Sequence, residues 1–401
     1  MVFNDFFVNS LKQLEFNKEP SIQHFIKAER ESAMSNTLIL VPVNQLQQFM
    51  RDTFISVGVP EEDADVCSEV LISSDLRGIE SHGIGRLKMY YDRIKKGIQQ
   101  PVTQFEIVRE APATAVVDGH DGMGHVIAKR AMQLAIDKAR KYGMGSVAVR
   151  NSSHFGIDGY YPLMAIKAGM VGMSFTNARP SIAPTFGVQP MLGTNPIAFG
   201  APTDEDCPFL FDGATSIVQR GKFEILSREG KTGSEGWAID QSGASITDPN
   251  LVLSGLMDDN AALVPLGGTE EAYGGHKGYG LATVVEIFSA SFQNGAFLQT
   301  LIGIDENGKT RPNRLGHFFM AINIESFTDL VDFKKTTGEI VRQLRASTKV
   351  PGSNRIYTAG EKEYELEKIN RVRGISIPPG LQKDIKSIQS ELNLKQYPFP
   401  F

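Results

Sequence analysis

Two histidines stand in contexts that suit proton transfer. His82 lies in Ser81-His82-Gly83-Ile84-Gly85-Arg86, at an expected helix start, with Arg86 four residues on and therefore on the same face. A histidine that exchanges a proton beside an arginine that clamps a carboxylate through two hydrogen bonds is what a 2-oxo or 2-hydroxy acid requires. His154 lies in Asn151-Ser-Ser-His154-Phe-Gly156, just past an expected strand end, where open α/β sheets bind ligands. Taken singly, each histidine also reads as a structural residue with its hydrogen bonds satisfied. His120, His125 and His276 have no partner at metal-binding spacing, so no metal site is expected.

Three glycine-rich segments add candidate loops. Gly193-Thr194-Asn195-Pro196 is turn chemistry with free backbone N–H groups. Phe209-Leu-Phe211-Asp212-Gly213-Ala214-Thr215-Ser216 puts a carboxylate directly after an apolar strand, where it could orient a ribose, a nicotinamide or a histidine. Asp212 and Thr215 equally suit a helix cap. Gly274-Gly275-His276-Lys277-Gly278-Tyr279-Gly280 opens a helix, and a lysine among glycines at a helix N-terminus suits an anion.

Two nucleotide signatures fail. GxGxxG does not occur, which disfavours the usual Rossmann arrangement. Gly303-Ile-Asp-Glu-Asn-Gly308-Lys309-Thr310 fits the phosphate-loop pattern. However, Asp305 and Glu306 would face phosphate oxygens, and Pro312 suppresses the helix the motif needs. The stretch reads as a surface turn, so a nucleotide hydrolase built on Lys309 is rejected.

The elements that must position these residues alternate. Helical spacing runs over 44–57, 61–76, from about 83, 124–142, 162–167, 215–226, 278–292 and 327–346. Strand patterns cover 114–118, 146–150, 171–176 and 318–323. Alternation of this kind means an α/β chain.

Composition removes other classes. The 401 residues carry 41 Lys plus Arg against 46 Asp plus Glu, a net charge of −5, with no basic block for nucleic acid. No apolar run reaches the roughly 18 residues of a membrane span. Two cysteines, Cys67 and Cys207, make neither a disulfide framework nor a cysteine-rich zinc site, and a cytoplasmic setting is expected. Residues 1–40 read as a loose extension whose acidic residues argue against a transit peptide.

Together these segments resemble the type-2 malate/L-lactate dehydrogenase family, whose relatives include ureidoglycolate dehydrogenase, sulfolactate dehydrogenase, diketogulonate reductase and the cyclic-imine reductases. The resemblance runs from Val41 to Pro379. It rests on the order and spacing of Arg77-Gly-Ile-Glu-Ser81-His82-Gly83, Gly122-Met-Gly-His, Asn151-Ser-Ser-His154-Phe-Gly156, Gly193-Thr194-Asn195-Pro196, Phe211-Asp212-Gly213-Ala214-Thr215-Ser216 and Lys277-Gly278-Tyr279-Gly280-Leu281. Gly213 departs from the methionine common at that position.

The resemblance implies an α/β, mixed-sheet, non-Rossmann NAD(P)-binding fold with a helical N-terminal region, and usually a homodimer. It implies reversible hydride transfer between NAD or NADP and an L-2-hydroxy acid, malate ahead of lactate. The alternatives are ureidoglycolate, sulfolactate, a 2-oxo acid or a cyclic imine. It places His154, His82 and Asp212 in catalysis, with either histidine as the acid/base. Ser81, Arg86, Tyr90 and Ala178 fall by the substrate. Thr176, Asn177, Thr194, Asn195, Asp212, Gly213, Ala214, Lys277 and the turn Gly352, Ser353, Asn354 fall by the cofactor. The expected organisation is an extension to 40, a mainly helical substrate and dimer region over 41–120, a cofactor-binding α/β region over 121–325, and helices over 326–401 that return to the first region. No nucleic-acid, membrane or metal partner is expected.

Overall fold

The computed structural model describes residues 39–401. The expected extension lies outside the described residues except for Ile39 and Leu40.

The described residues open with a short strand, β1 (Leu40–Val41), and two helices, α1 (Val43–Ser56) and α2 (Glu61–Leu76). Glu61, Glu62 and Asp63 occupy the first turn of α2, where carboxylates meet the positive end of the helix dipole. A 3₁₀ turn, Ile84–Arg86, then leads into α3 (Leu87–Lys95). These helices share one core with the C-terminal helix α11 (Pro379–Glu391). Phe49, Phe54, Leu71, Tyr90 and Tyr91 pack in it together with Ile385 and Ile388. β1 pairs with β11 (Ile375–Ser376), which ties the first described strand to the C-terminal region.

The middle of the chain builds a seven-stranded mixed sheet. Its strands are β2 (Glu106–Glu110), β3 (Thr114–Asp118), β4 (Met144–Ser152), β5 (Met170–Thr176), β6 (Ile197–Ala201), β7 (Phe209–Gly213) and β10 (Leu315–Asn323). The order is β2-β3-β4-β10-β5-β6-β7. Only β3 and β4 run parallel; every other neighbouring pair is antiparallel. That topology is far from the all-parallel dinucleotide sheet and accounts for the missing glycine fingerprint.

Side chains alternate across the sheet with period two. Val147, Val149, Phe319 and Ala321 face α4 (Gly124–Tyr142) and α5 (Tyr160–Lys167). Ala148, Phe175 and Phe318 face the other way, onto Val285 of α8 (Gly275–Ala290). A separate small core joins α6 (Arg220–Glu229), β8 (Ala238–Asp240), α7 (Pro249–Gly255) and β9 (Ala261–Leu263). The chain then closes through α9 (Leu330–Ala346) and α10 (Glu361–Arg373). Among the described residues no helix is long and apolar enough to cross a membrane.

Three sequence expectations shift. The helix expected over 215–226 begins at Arg220, because Thr215 and Ser216 spend their hydroxyls on loop carbonyls and Ser216 bridges Pro265. Asp212 lies inside β7, opposite Ala198, so it caps no helix. The helix expected from 278 starts at Gly275, since Gly274 takes a left-handed conformation that starts it early.

Candidate active site

Two loops bring two histidines face to face. One follows α2 and carries His82; the other follows β4 and carries His154. Their rings stack at a centroid distance of 5.3 Å and an interplanar angle of 22°.

The His82 loop is held from below by a carboxyl. Asp75, at the end of α2, accepts the Ile84 N–H at 2.8 Å. The approach is so close that a Cβ on Gly83 would fall 1.8 Å from Asp75 Oδ1, so only glycine fits there. Burial pushes the Asp75 carboxyl up to about 8. The sequence reading missed this residue, although a signal was present: Asp75 is four residues after Leu71 and shares the buried side of α2.

Above the loop, His82 Nδ1 meets Ser81 Oγ at 2.8 Å, and the Gln219 amide donates to the same hydroxyl at 3.3 Å. Arg86 Nε donates to the Ser81 carbonyl at 2.7 Å, and Arg86 Nη2 stands 3.6 Å from Glu224 on α6. Gln219 and Glu224 were not foreseen, because the shifted start of α6 is what brings them over the loop.

The His154 loop is pinned from three sides. Tyr90 is fully buried, and its hydroxyl lies 2.5 Å from His154 Nδ1. The Gly156 N–H donates to the same nitrogen at 3.3 Å, so Nδ1 carries a lone pair and a neutral ring holds its proton on Nε2. Further along the loop, Asp158 accepts the Ser174 hydroxyl at 2.5 Å, while its second oxygen is buried without a hydrogen-bond partner. Burial first, then the Asp212 charge, raises the Asp158 carboxyl well above its ordinary value. Asp212 accepts the Gly159 N–H at 2.7 Å. One side of Asp212 is open to solvent, yet desolvation by the protein around it outweighs the Gly159 N–H and lifts its carboxyl to about 6. Neither histidine is a hydrogen-bond partner of Asp212. Of the roles expected for it, orienting a ribose, a nicotinamide or a histidine, the histidine contact is not made; Asp212 instead holds the start of α5, five residues beyond His154.

Electrostatics keep both rings neutral. Burial, then the Arg86 charge, lowers His82 to about 4. Burial, then His82, Arg86 and Arg93, holds His154 well below the ordinary histidine value.

A second cluster lies at the ends of β5 and β6. The Asn177 and Asn195 amides both donate to the Glu286 carboxylate on α8, at 3.4 and 2.8 Å. Thr215 donates to the Asn195 carbonyl at 3.0 Å, and Thr176 Oγ1 meets His317 Nδ1 at 2.7 Å. A Cβ on Gly193 would fall 2.5 Å from the Ala178 carbonyl oxygen, which locks the Thr194 loop against Ala178. Asn195 Oδ1 is buried with no hydrogen-bond partner among the described residues. Gly213 ends β7 opposite Ile197, with Ala214 directly after it. The structure thus gathers Ser81, His82, Arg86, Tyr90 and His154 into one group, and Thr176, Asn177, Ala178, Thr194 and Asn195 into another. Lys277 is exposed at the first turn of α8, and Gly352, Ser353 and Asn354 form an exposed turn; no hydrogen bond or ion pair joins either to those groups. The rejected phosphate loop is a turn in which Asp305 accepts the Asn307 and Lys309 N–H groups, and no helix follows it.

Comparison with known proteins agrees with this architecture. A family profile described as Malate/L-lactate dehydrogenase matches residues 41–386. The malate dehydrogenase of Pyrococcus abyssi is 43% identical over 357 residues, covering 89% of this chain and 96% of that protein. The L-sulfolactate dehydrogenase of Methanocaldococcus jannaschii is 39% identical over 358 residues, covering 89% and 98%. Among solved structures, malate dehydrogenase from Entamoeba histolytica superposes with a TM-score of 0.88 at 47% identity, covering 91% of this chain and all of that one.

Proposed function

The chain belongs to the malate/L-lactate dehydrogenase family, and from that premise we propose that it catalyses reversible hydride transfer between NAD(P) and L-malate. The observation that carries the reading is the stacked pair His82 and His154; Arg86, four residues after His82, ends the 3₁₀ turn that follows the His82 loop, rather than sharing a helix with His82 as its spacing suggested. Relatives named malate dehydrogenase support malate over sulfolactate and ureidoglycolate.

The two histidines take different tasks in this reading. His154 presents Nε2–H, because Tyr90 and Gly156 both act on its Nδ1. It donates a hydrogen bond to the substrate's C2 oxygen and stabilises the charge that develops there. His82 can pass its Nδ1–H to Ser81, which leaves Nε2 free to take the hydroxyl proton. Burial, then the Arg86 charge, keeps the ring neutral, so Nε2 holds its lone pair at neutral pH. Arg86 holds the C1 carboxylate with the guanidinium edge that Ser81 and Glu224 leave open.

The residues also fit a dinucleotide. Asn195 Oδ1 is a buried acceptor without a partner, and Lys277 is an exposed cation in the first turn of a 16-residue helix. Thr176, Asn177, Thr194, Asn195, Gly213, Ala214, Lys277 and the turn Gly352–Asn354 would hold it, with Asp212 at its edge. When bound, the nicotinamide supplies the hydride acceptor. Glu286 keeps the Asn177 and Asn195 loops in register for it.

A homodimer and a cytoplasmic setting complete the reading. Leu281, Val284 and Ile287 leave an apolar stripe exposed at helical spacing along α8, suited to a second copy. Both cysteines are free thiols, which suits a reducing compartment.

The test is a pair of variants. His82→Ala and His154→Ala are each expected to lower kcat for malate by about 100- to 10,000-fold while the melting temperature is retained. Near-normal turnover in either variant removes that histidine from the mechanism.

A further inference from the structure

Arg93, beside the two histidines, has no counter-ion among the described residues. It lies on α3, three residues after Tyr90 and seven after Arg86, on the side of the helix that Tyr90 turns toward His154. The residue is half-buried, yet its side chain has no ion pair or hydrogen bond among the described residues. Other arginines drawn out of water in this fold do have carboxylates: buried Arg77 pairs with Glu367, and half-buried Arg86 and Arg345 pair with Glu224 and Glu205. A guanidinium taken partly out of water with no partner is costly, and such a site is completed by an anion.

The surroundings of Arg93 sharpen this. Arg86 and Arg179 are near enough to repel it, and both Arg86 and Arg93 act on His154. Arg179 follows directly on Ala178, in the loop after β5; it is exposed and makes no ion pair among the described residues. Three guanidinium charges therefore act on this side of the site. Among the described residues the only carboxylate paired to them is Glu224, 3.6 Å from Arg86. A single substrate carboxylate on Arg86 leaves Arg93 and Arg179 uncompensated. A second anionic group on the same substrate would answer them.

We propose that Arg93, backed by Arg179, binds the second anionic group of the substrate, so that the site selects dianionic 2-hydroxy acids over lactate. This rests on the hydroxy-acid dehydrogenase reading and adds to it the residue that reads the far end. A carboxylate at C4 and a sulfonate in its place share the required charge and acceptor oxygens.

The experiment compares the wild type, Arg93→Gln, Arg93→Lys and Arg179→Gln with L-malate, sulfolactate and L-lactate. A hydrogen bond to a charged group contributes about 1.5–3 kcal/mol, so Arg93→Gln should lower kcat/KM for malate roughly 10- to 100-fold, mainly through KM. Lactate should change by less than about 3-fold, since it has no second anion. Arg93→Lys should recover part of the loss, and Arg179→Gln should show a smaller loss in the same direction. A fall on sulfolactate equal to that on malate assigns the site to either anion, and a fall on malate alone assigns it to a carboxylate; both support the proposal. Equal losses on malate and lactate, or an unchanged malate KM, overturn it.

A wild type that oxidises lactate but not malate also overturns it, while leaving the dehydrogenase reading intact. A wild type that turns over no hydroxy acid with either cofactor defeats that reading. The proposal is then decided by ligand-induced melting shifts. Succinate, and not propionate, should raise Tm in the wild type and lose this effect in Arg93→Gln. Equal shifts with both acids, or a succinate shift kept in Arg93→Gln, overturn it.

Discussion

Tyr90→Phe separates two roles for one residue. The resemblance places Tyr90 beside the substrate. In the structure it is fully buried, and its hydroxyl reaches His154 Nδ1 at 2.5 Å. Phenylalanine keeps the ring and its packing on Phe54 and His125, at centroid distances of 6.2 and 4.7 Å, and removes only the hydroxyl. His154 then keeps the longer Gly156 N–H contact at 3.3 Å as its sole anchor at Nδ1. A hydrogen bond of this kind contributes about 0.5–1.5 kcal/mol net. Lost from the transition state alone, that is roughly a 2- to 13-fold fall in rate, since each 1.36 kcal/mol is tenfold. Steady-state assays should show kcat for malate lowered within that range and KM unchanged, with the protein folded by thermal melt. An unchanged kcat with a raised KM would mean that Tyr90 touches substrate, and the positioning argument would fall.

Further outcomes follow from the same geometry. Asp75 holds its proton up to about 8, whereas an unfolded aspartate releases it near 3.9. Between those values the folded chain carries a proton that the unfolded chain has lost. Stability therefore falls as pH rises through the window, by about 1.4 kcal/mol per pH unit from this group. Asp75→Asn lifts that penalty, so its Tm should gain on the wild type as pH is raised; parallel Tm–pH curves would contradict the assignment. Gly83→Ala must push a Cβ into Asp75 Oδ1, which would lie 1.8 Å away; it should cost about 1–3 kcal/mol of stability in denaturant melts and lower kcat by moving the His82 loop. Lys309→Ala should leave malate turnover and stability unchanged, because Lys309 sits in an exposed turn with no following helix.

Much of the fold was legible where one periodicity dominates. Glu61–Leu76 and Gly124–Tyr142 carry strong boundary signals, an acidic first turn and a terminal glycine, and fold over those spans. β6 and the short strands β8 and β9 were missed, because a few apolar residues between glycines do not separate strand from loop. The sheet order could not be read either: β10 inserts between β4 and β5 from far along the chain, and no local pattern encodes that pairing.

At the site, the residue types that do chemistry stood out: His82, Arg86, His154 and Asp212 stand in or beside segments rich in turn residues. Their supports did not. Asp75, Asp158 and Glu286 are carboxyls on elements that read as ordinary helix or loop, and their importance comes from contacts made across the fold. Arg93 was not singled out in the sequence, since only the fold shows that it has no counter-ion among the described residues.

The most direct test of the central claim follows absorbance at the nicotinamide band with purified protein, L-malate, and NAD or NADP in turn. The account predicts reduced cofactor formed in proportion to malate, its reversal by oxaloacetate, and its loss in His82→Ala. No absorbance change with malate and either cofactor, from folded protein, would contradict it.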